Sequence, residues 1–97
     1  MENFQPKEIY LNTCELLPCE PLEQALSTLN KLNQSEYLHM HHRMFPAPLM
    51  DMAQKLNFKI FVQKISEDEW HIYFCSSLDL DTLNWLKNNL QQSEYKR

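Results

Sequence analysis

The chain has 97 residues, 43% of them hydrophobic and 23% charged, with a formal net charge of -4 at pH 7. That length supports one domain with a modest core and excludes two. Only Lys96 and Arg97 are adjacent among the basic residues, which argues against a nucleic-acid partner, and no apolar run approaches the roughly 20 residues of a membrane helix.

The opening "MENFQPKEIY" lacks the basic-then-apolar pattern of a signal peptide, so the expected compartment is cytoplasmic. Cys14, Cys19 and Cys75 are an odd set, which suits reduced thiols better than a disulfide framework. Glycine is absent, against an average usage of about 7%. Turns that need positive φ therefore fall to Asn or Asp, and Asn12, Asn33, Asn57 and Asp68 stand where turns are wanted.

In chain order, Ile9 and Leu11 alternate with Tyr10 and Asn12, which predicts a half-buried strand. A helix is expected over residues 19–33, where Leu22, Ala25, Leu26, Leu29 and Leu32 recur at helical spacing. Pro21 suits its first turn, Glu20 and Glu23 the positive end of its dipole, and Asn33 its stop. Residues 36–42 alternate again, with Leu38 and Met40 on one face and Tyr37, His39 and His41 on the other. After the loop "RMFPAP", a second helix begins at Pro48, carries Leu49, Met52, Ala53 and Leu56 on one stripe, and is capped by Asn57. Residues 58–65 and 69–76 form a hairpin through "SED". A third helix follows, with Leu80, Leu83, Leu86 and Leu90 in one arc and Asp79 or Asp81 as its cap.

The fold expected is α/β (α+β), a two-layer sandwich with a β-α-β-α-β-β core, a mixed four-stranded sheet and an additional C-terminal helix. It forms a single domain over residues 1–97, with the core over about 7–76 and the last helix over about 79–91. Right-handed crossovers put the first two helices on one face. The other face then carries Tyr10, Tyr37, His39, His41, Phe61, His71, Tyr73 and Cys75, too aromatic a set for a solvated surface. Either the third helix or a second copy of the chain must cover it.

Two groups carry possible chemistry. His39 and His41 are two residues apart on a strand and point the same way; with His71 on a neighbouring strand they would converge as metal ligands, with Cys75 or a water as the fourth. Solvated or interface imidazoles are the alternative. Cys19 lies beside a helix start between Pro18 and Pro21, where unpaired N–H groups favour thiolate, while Glu15, Glu20 and Glu23 oppose it. The alternative is a small residue that only starts the helix.

The stretch "LNTCELLPCEPLEQAL" after a strand resembles the TusA/SirA-like superfamily. It is most similar to the branch described as a domain of unknown function, whose members read like L-D-x-R-G-L-P-P-P-E-P-L-E and carry a His/Arg/Pro-rich stretch like "HHRMFPAPL". The resemblance covers about residues 7–74 and implies a β-α-β-α-β-β fold. In the superfamily, a cysteine in a Cys-Pro-x-Pro motif carries sulfur as a persulfide. In register with that motif, the cysteine's place falls on Pro18, and Cys19 falls on the first proline's place, followed by Glu20 and Pro21. The resemblance implies binding residues at His41, His42, Arg43, Pro46 and Pro48, Arg43 offering a donor fork for an anion.

Three functions follow as expectations. The first is a protein-binding or adaptor module without the sulfur-carrying cysteine, with a protein partner and a homodimer through the open sheet face or the C-terminal helix. The second is a sulfur carrier using Cys19, a sulfurtransferase-type relay. The third is metal or redox-cofactor binding through His39, His41 and His71. No cofactor is expected apart from that metal.

Overall fold

A computed structural model describes residues 4–14, 20–90 and 93–94 of the chain. Its elements are β1 (Lys7–Asn12), α1 (Glu20–Asn30), β2 (Glu36–His42), α2 (Ala47–Lys55), β3 (Phe58–Ser66), β4 (Glu69–Ser76), α3 (Leu80–Asn89) and the two-residue β5 (Ser93–Glu94). The sheet order is β1-β2-β4-β3-β5, so β5 adds a short edge to the four expected strands. β1 runs parallel to β2, and β4 is antiparallel to both β2 and β3. The hairpin partner β4 thus slots between β2 and β3, whose connection through α2 is a second crossover.

The main core lies between the sheet and α1/α2. Ala25 and Leu29 of α1, Leu49, Met50 and Ala53 of α2, and Leu38, Met40, Ile60, Ile72 and Phe74 of the sheet are all buried there. Each fully buried large side chain of this kind contributes about 1.5–3 kcal/mol. The apolar stripe of α2 is turned relative to expectation: Met50 is fully buried, whereas Met52 and Leu56 are 41% and 50% exposed. α2 seats adjacent residues 49 and 50 with residue 53 against the sheet, not the 49-52-53-56 arc.

The second face is covered in part by α3. Leu83 and Leu86 of α3 pack on Tyr37, Phe61, Tyr73 and Cys75, with Trp85 and Leu90 alongside. Leu80, expected on that stripe, is exposed because it sits in the first turn, beyond the sheet contact. Asp79 caps α3, its side chain accepting from the Thr82 amide and, through Oδ2, from the Thr82 hydroxyl at 2.9 Å.

Turns are made without glycine in two ways. Asn57 takes φ 68° at the end of α2, as expected, and its amide donates to Gln54 O. Ser35 takes φ 67°, a position expected of neither Ser nor this site, and its amide donates to Asp79 Oδ2 at 2.7 Å. Asn12, Asn33 and Asp68 keep negative φ. Asn12 instead makes its turn through its side chain, accepting from the Cys14 amide at 3.0 Å. α1 ends at Asn30, three residues early, because the Lys31 and Leu32 amides tighten onto Thr28 and Leu29.

Candidate functional site

The end of β2 organises both candidate sites, because consecutive strand residues point to opposite faces. His42 faces the α1/α2 side, and His41 faces the side that α3 covers only in part.

On the His42 side lies a cleft of about 460 Å³. Pro21, Leu22 and Glu23 at the start of α1 form one wall; Met44, Phe45 and Pro46 of the loop with Pro48 and Leu49 of α2 form the other. The fold therefore brings together Pro21, His42, Pro46 and Pro48 from two separate sequence stretches. Pro46 is the N-cap of α2, and Pro48 sits in its first turn. Phe45 packs tilted against Trp70, ring centroids 5.3 Å apart.

His42 is buried, and Thr13 fixes it. The buried Thr13 hydroxyl donates to His41 O at 3.1 Å and lies 2.8 Å from His42 Nδ1. With its one proton spent on the carbonyl, the hydroxyl accepts from Nδ1–H, which assigns the lone pair to Nε2. Burial lowers the His42 pKa; the backbone of Thr13 opposes this, and the charges of Arg43 and His41 add to it. Burial thus favours the neutral ring. Arg43 itself is exposed and does not line the cleft. Pro18, Cys19 and the side chain of Glu20 lie outside the described residues.

On the opposite face the sheet register delivers the expected histidine convergence. His41 stands directly across from His71, and His39 across from Tyr73 and beside Tyr10. The His39 and His71 rings meet through Nε2 and Nδ1 at 2.7 Å. His41 and His71 stack with centroids 4.4 Å apart at 14°. Glu69, two residues before His71 and so on the same face, places Oε2 3.3 Å from Nε2 of both His41 and His71. His41 Nδ1 faces the Tyr10 hydroxyl at 3.1 Å. Glu8 Oε2 is 3.1 Å from His39 Nδ1 without the alignment of a hydrogen bond, so among the described residues that buried nitrogen has no hydrogen-bond partner. Burial lowers the His39 pKa, against the raising effect of Glu8 and with the neighbouring imidazoles.

Cys75 does not join this group. It is fully buried under α3, its thiol directed at Ser76 O and Asp79 O, and burial pushes its pKa up to about 12. The acid that does join, Glu69, was missed by sequence reasoning although its i, i+2 spacing to His71 carried the signal. Thr13 and Phe45 were missed because nothing local marks them. α3 covers part of the face for which either the third helix or a second copy of the chain was expected, and it leaves Leu80 exposed, with Leu78 just before it. No helix of the described residues is long and apolar enough to cross a membrane.

Comparison with protein-family models, with curated proteins and with solved structures finds no match.

Proposed function

We propose that the chain is a protein-binding module whose recognition site is the cleft between the start of α1 and the loop entering α2. One observation carries the reading: residues from two stretches more than 20 positions apart, Pro21 and His42–Leu49, wall a single apolar cleft with the His42 imidazole at its edge. Prolines hold its rims stiff, so little ordering entropy is lost on binding. Its volume, at the small end of ligand pockets, suits one apolar side chain of a partner protein anchored there. The TusA/SirA-like resemblance, with Pro18 in the place of the sulfur-carrying cysteine, supports binding without sulfur chemistry.

Titration of the isotope-labelled protein with N-acetyl-leucinamide and N-acetyl-tryptophanamide, followed by amide NMR, tests the reading. Saturable shifts at Leu22, Glu23, His42, Phe45 and Leu49 are expected, and Met44→Asp, at an exposed residue of the cleft wall, should abolish them. Shifts that are absent, non-saturable or confined to other surfaces refute it.

A second reading, sulfur relay through Cys19, is favoured by the place of His42. The cleft that Pro21 lines, two residues after Cys19 in sequence, holds an imidazole with its lone pair on Nε2. Such a base takes the Cys19 proton; the thiolate then attacks the outer sulfur of a persulfide donor, the donor S–S bond breaks, and the departing thiolate takes the proton back. Mass spectrometry after exposure to a persulfide donor separates the readings. One added sulfur lost in Cys19→Ser supports relay; no selective uptake leaves the binding module.

A further inference from the structure

The strongest group outside the cleft is the histidine cluster on the opposite sheet face, and it stands whether or not the cleft binds a partner. The geometry points to a divalent transition-metal site of the zinc class, with His41 Nε2, His71 Nε2 and Glu69 Oε2 as ligands and a fourth position open to water.

Three observations carry this. The first is spacing. A tetrahedral ion with ligand bonds of about 2.0–2.1 Å sets its donor atoms roughly 3.3 Å apart. Glu69 Oε2 lies 3.3 Å from both imidazole nitrogens, and all three ligand atoms fall within 4.8 Å of one another.

The second is the outer nitrogens. Metal-bound histidines hold their other ring N–H on an acceptor, which fixes the tautomer. Here His41 Nδ1 meets the Tyr10 hydroxyl at 3.1 Å and His71 Nδ1 meets His39 Nε2 at 2.7 Å. Both Nε2 atoms are thereby left facing Glu69.

The third is the proton count. If His71 donates from Nε2 to Glu69, its Nδ1 must accept from His39 Nε2–H. His39 Nδ1 then turns a lone pair to the Glu8 carboxylate 3.1 Å away, two acceptors face to face. If a cation takes the two Nε2 lone pairs, the chain reverses. His71 Nδ1–H donates to His39 Nε2, and His39 Nδ1–H is presented to Glu8. A cation gives every neutral imidazole in the row a complementary neighbour. Glu8 and His39 are then positioning residues for His71, and Tyr10 for His41. The stacked rings must tilt inward for both lone pairs to meet one ion, a χ2 rotation for side chains that are only partly buried. Nitrogen-rich donors with one carboxylate select this class of ion over magnesium or calcium.

The test uses the full chain without a histidine tag, titrated with zinc by calorimetry and with cobalt by visible absorption. One ion per chain is expected, with the intense d–d bands of a tetrahedral cobalt site. His41→Ala and His71→Ala should each weaken binding by 100-fold or more, and His39→Ala by roughly 10–100-fold. Glu67→Gln, an exposed acid outside the cluster, should leave affinity unchanged. Histidine ring NMR of the wild-type chain reads the site without any variant: stoichiometric zinc should shift Nε2 of His41 and His71 and leave His42 in place. Binding indifferent to His41 and His71, octahedral cobalt spectra, or zinc shifts at other histidines only would overturn the proposal.

Discussion

Removing the carboxylate of Asp79 should loosen α3 from the sheet, and the structure sets the size of the effect. Asp79 is 6% exposed and serves two elements at once. It is the N-cap of α3, and its Oδ2 also accepts from the Ser35 amide 44 residues away. Loss of an N-cap costs about 1 kcal/mol. Leaving the part-buried Ser35 amide and the buried Thr82 hydroxyl without their acceptor adds about 1 kcal/mol each, at the low end for buried groups. Ser35 also loses the bond that holds its left-handed backbone. Asp79→Ala should therefore cost about 3 kcal/mol, a large share of a marginal total. At about 4–8 °C per kcal/mol for a domain of this size, Tm falls by about 12–24 °C. Urea unfolding with unchanged m-value is the assay. Asp81→Ala is the control, since Asp81 is exposed and contributes only its charge to the first turn, a few tenths of a kcal/mol. If Asp79→Ala lies within about 0.5 kcal/mol of wild type, or matches Asp81→Ala, the double role assigned to Asp79 is wrong.

Alkaline pH should destabilise the fold through the same buried face. Burial raises the Cys75 thiol to about 12, and burial, then the hydrogen bond to Glu8, raises the Tyr37 phenol. Above the unfolded thiol value of ~8.5 the native state holds a proton that the unfolded chain releases, so stability is full below that pH and declines as pH rises toward 12. Denaturant midpoints from pH 7 to 11 check this, and Cys75→Ala should shallow the decline; a flat profile counts against it. Met50→Ala should cost about 2–5 kcal/mol and Met52→Ala under about 1, since only Met50 is buried; equal costs would mean that α2 presents the other stripe. Asn57→Gly should be neutral or slightly stabilising and Asn57→Val destabilising by about 1 kcal/mol or more, because φ 68° suits a residue without a β-branch; thermal melts of the pair distinguish them.

How much was legible depends on how local each signal was. Period-two alternation located β2 and β4, and "SED" between apolar runs located the hairpin, because those patterns are properties of a single strand or turn. Alternation also placed His39 and His41 on one face. It could not place His71 opposite His41, since register between strands 30 residues apart comes from pairing, not from either strand alone. Glu69 shares the face of His71 on its own strand and was legible by spacing alone; Cys75 shares that face too, and only the position of α3 shows that it lies at the buried end. The stripe of α2 was misjudged because helical spacing gives several neighbouring arcs and the approach to the sheet selects one.

By itself, the sequence determined the element order through α3, the lack of an apolar run long enough to span a membrane, the apolar interior of the main core and the two sets of residues worth watching. Tertiary structure alone decided that Pro21 meets His42 across a cleft, that α3 shields part of the aromatic face, and that Glu69 closes a triangle with two imidazoles. The reason is physical: propensity and periodicity act over a few residues, whereas a site is built from contacts whose partners the chain brings together only when the core closes.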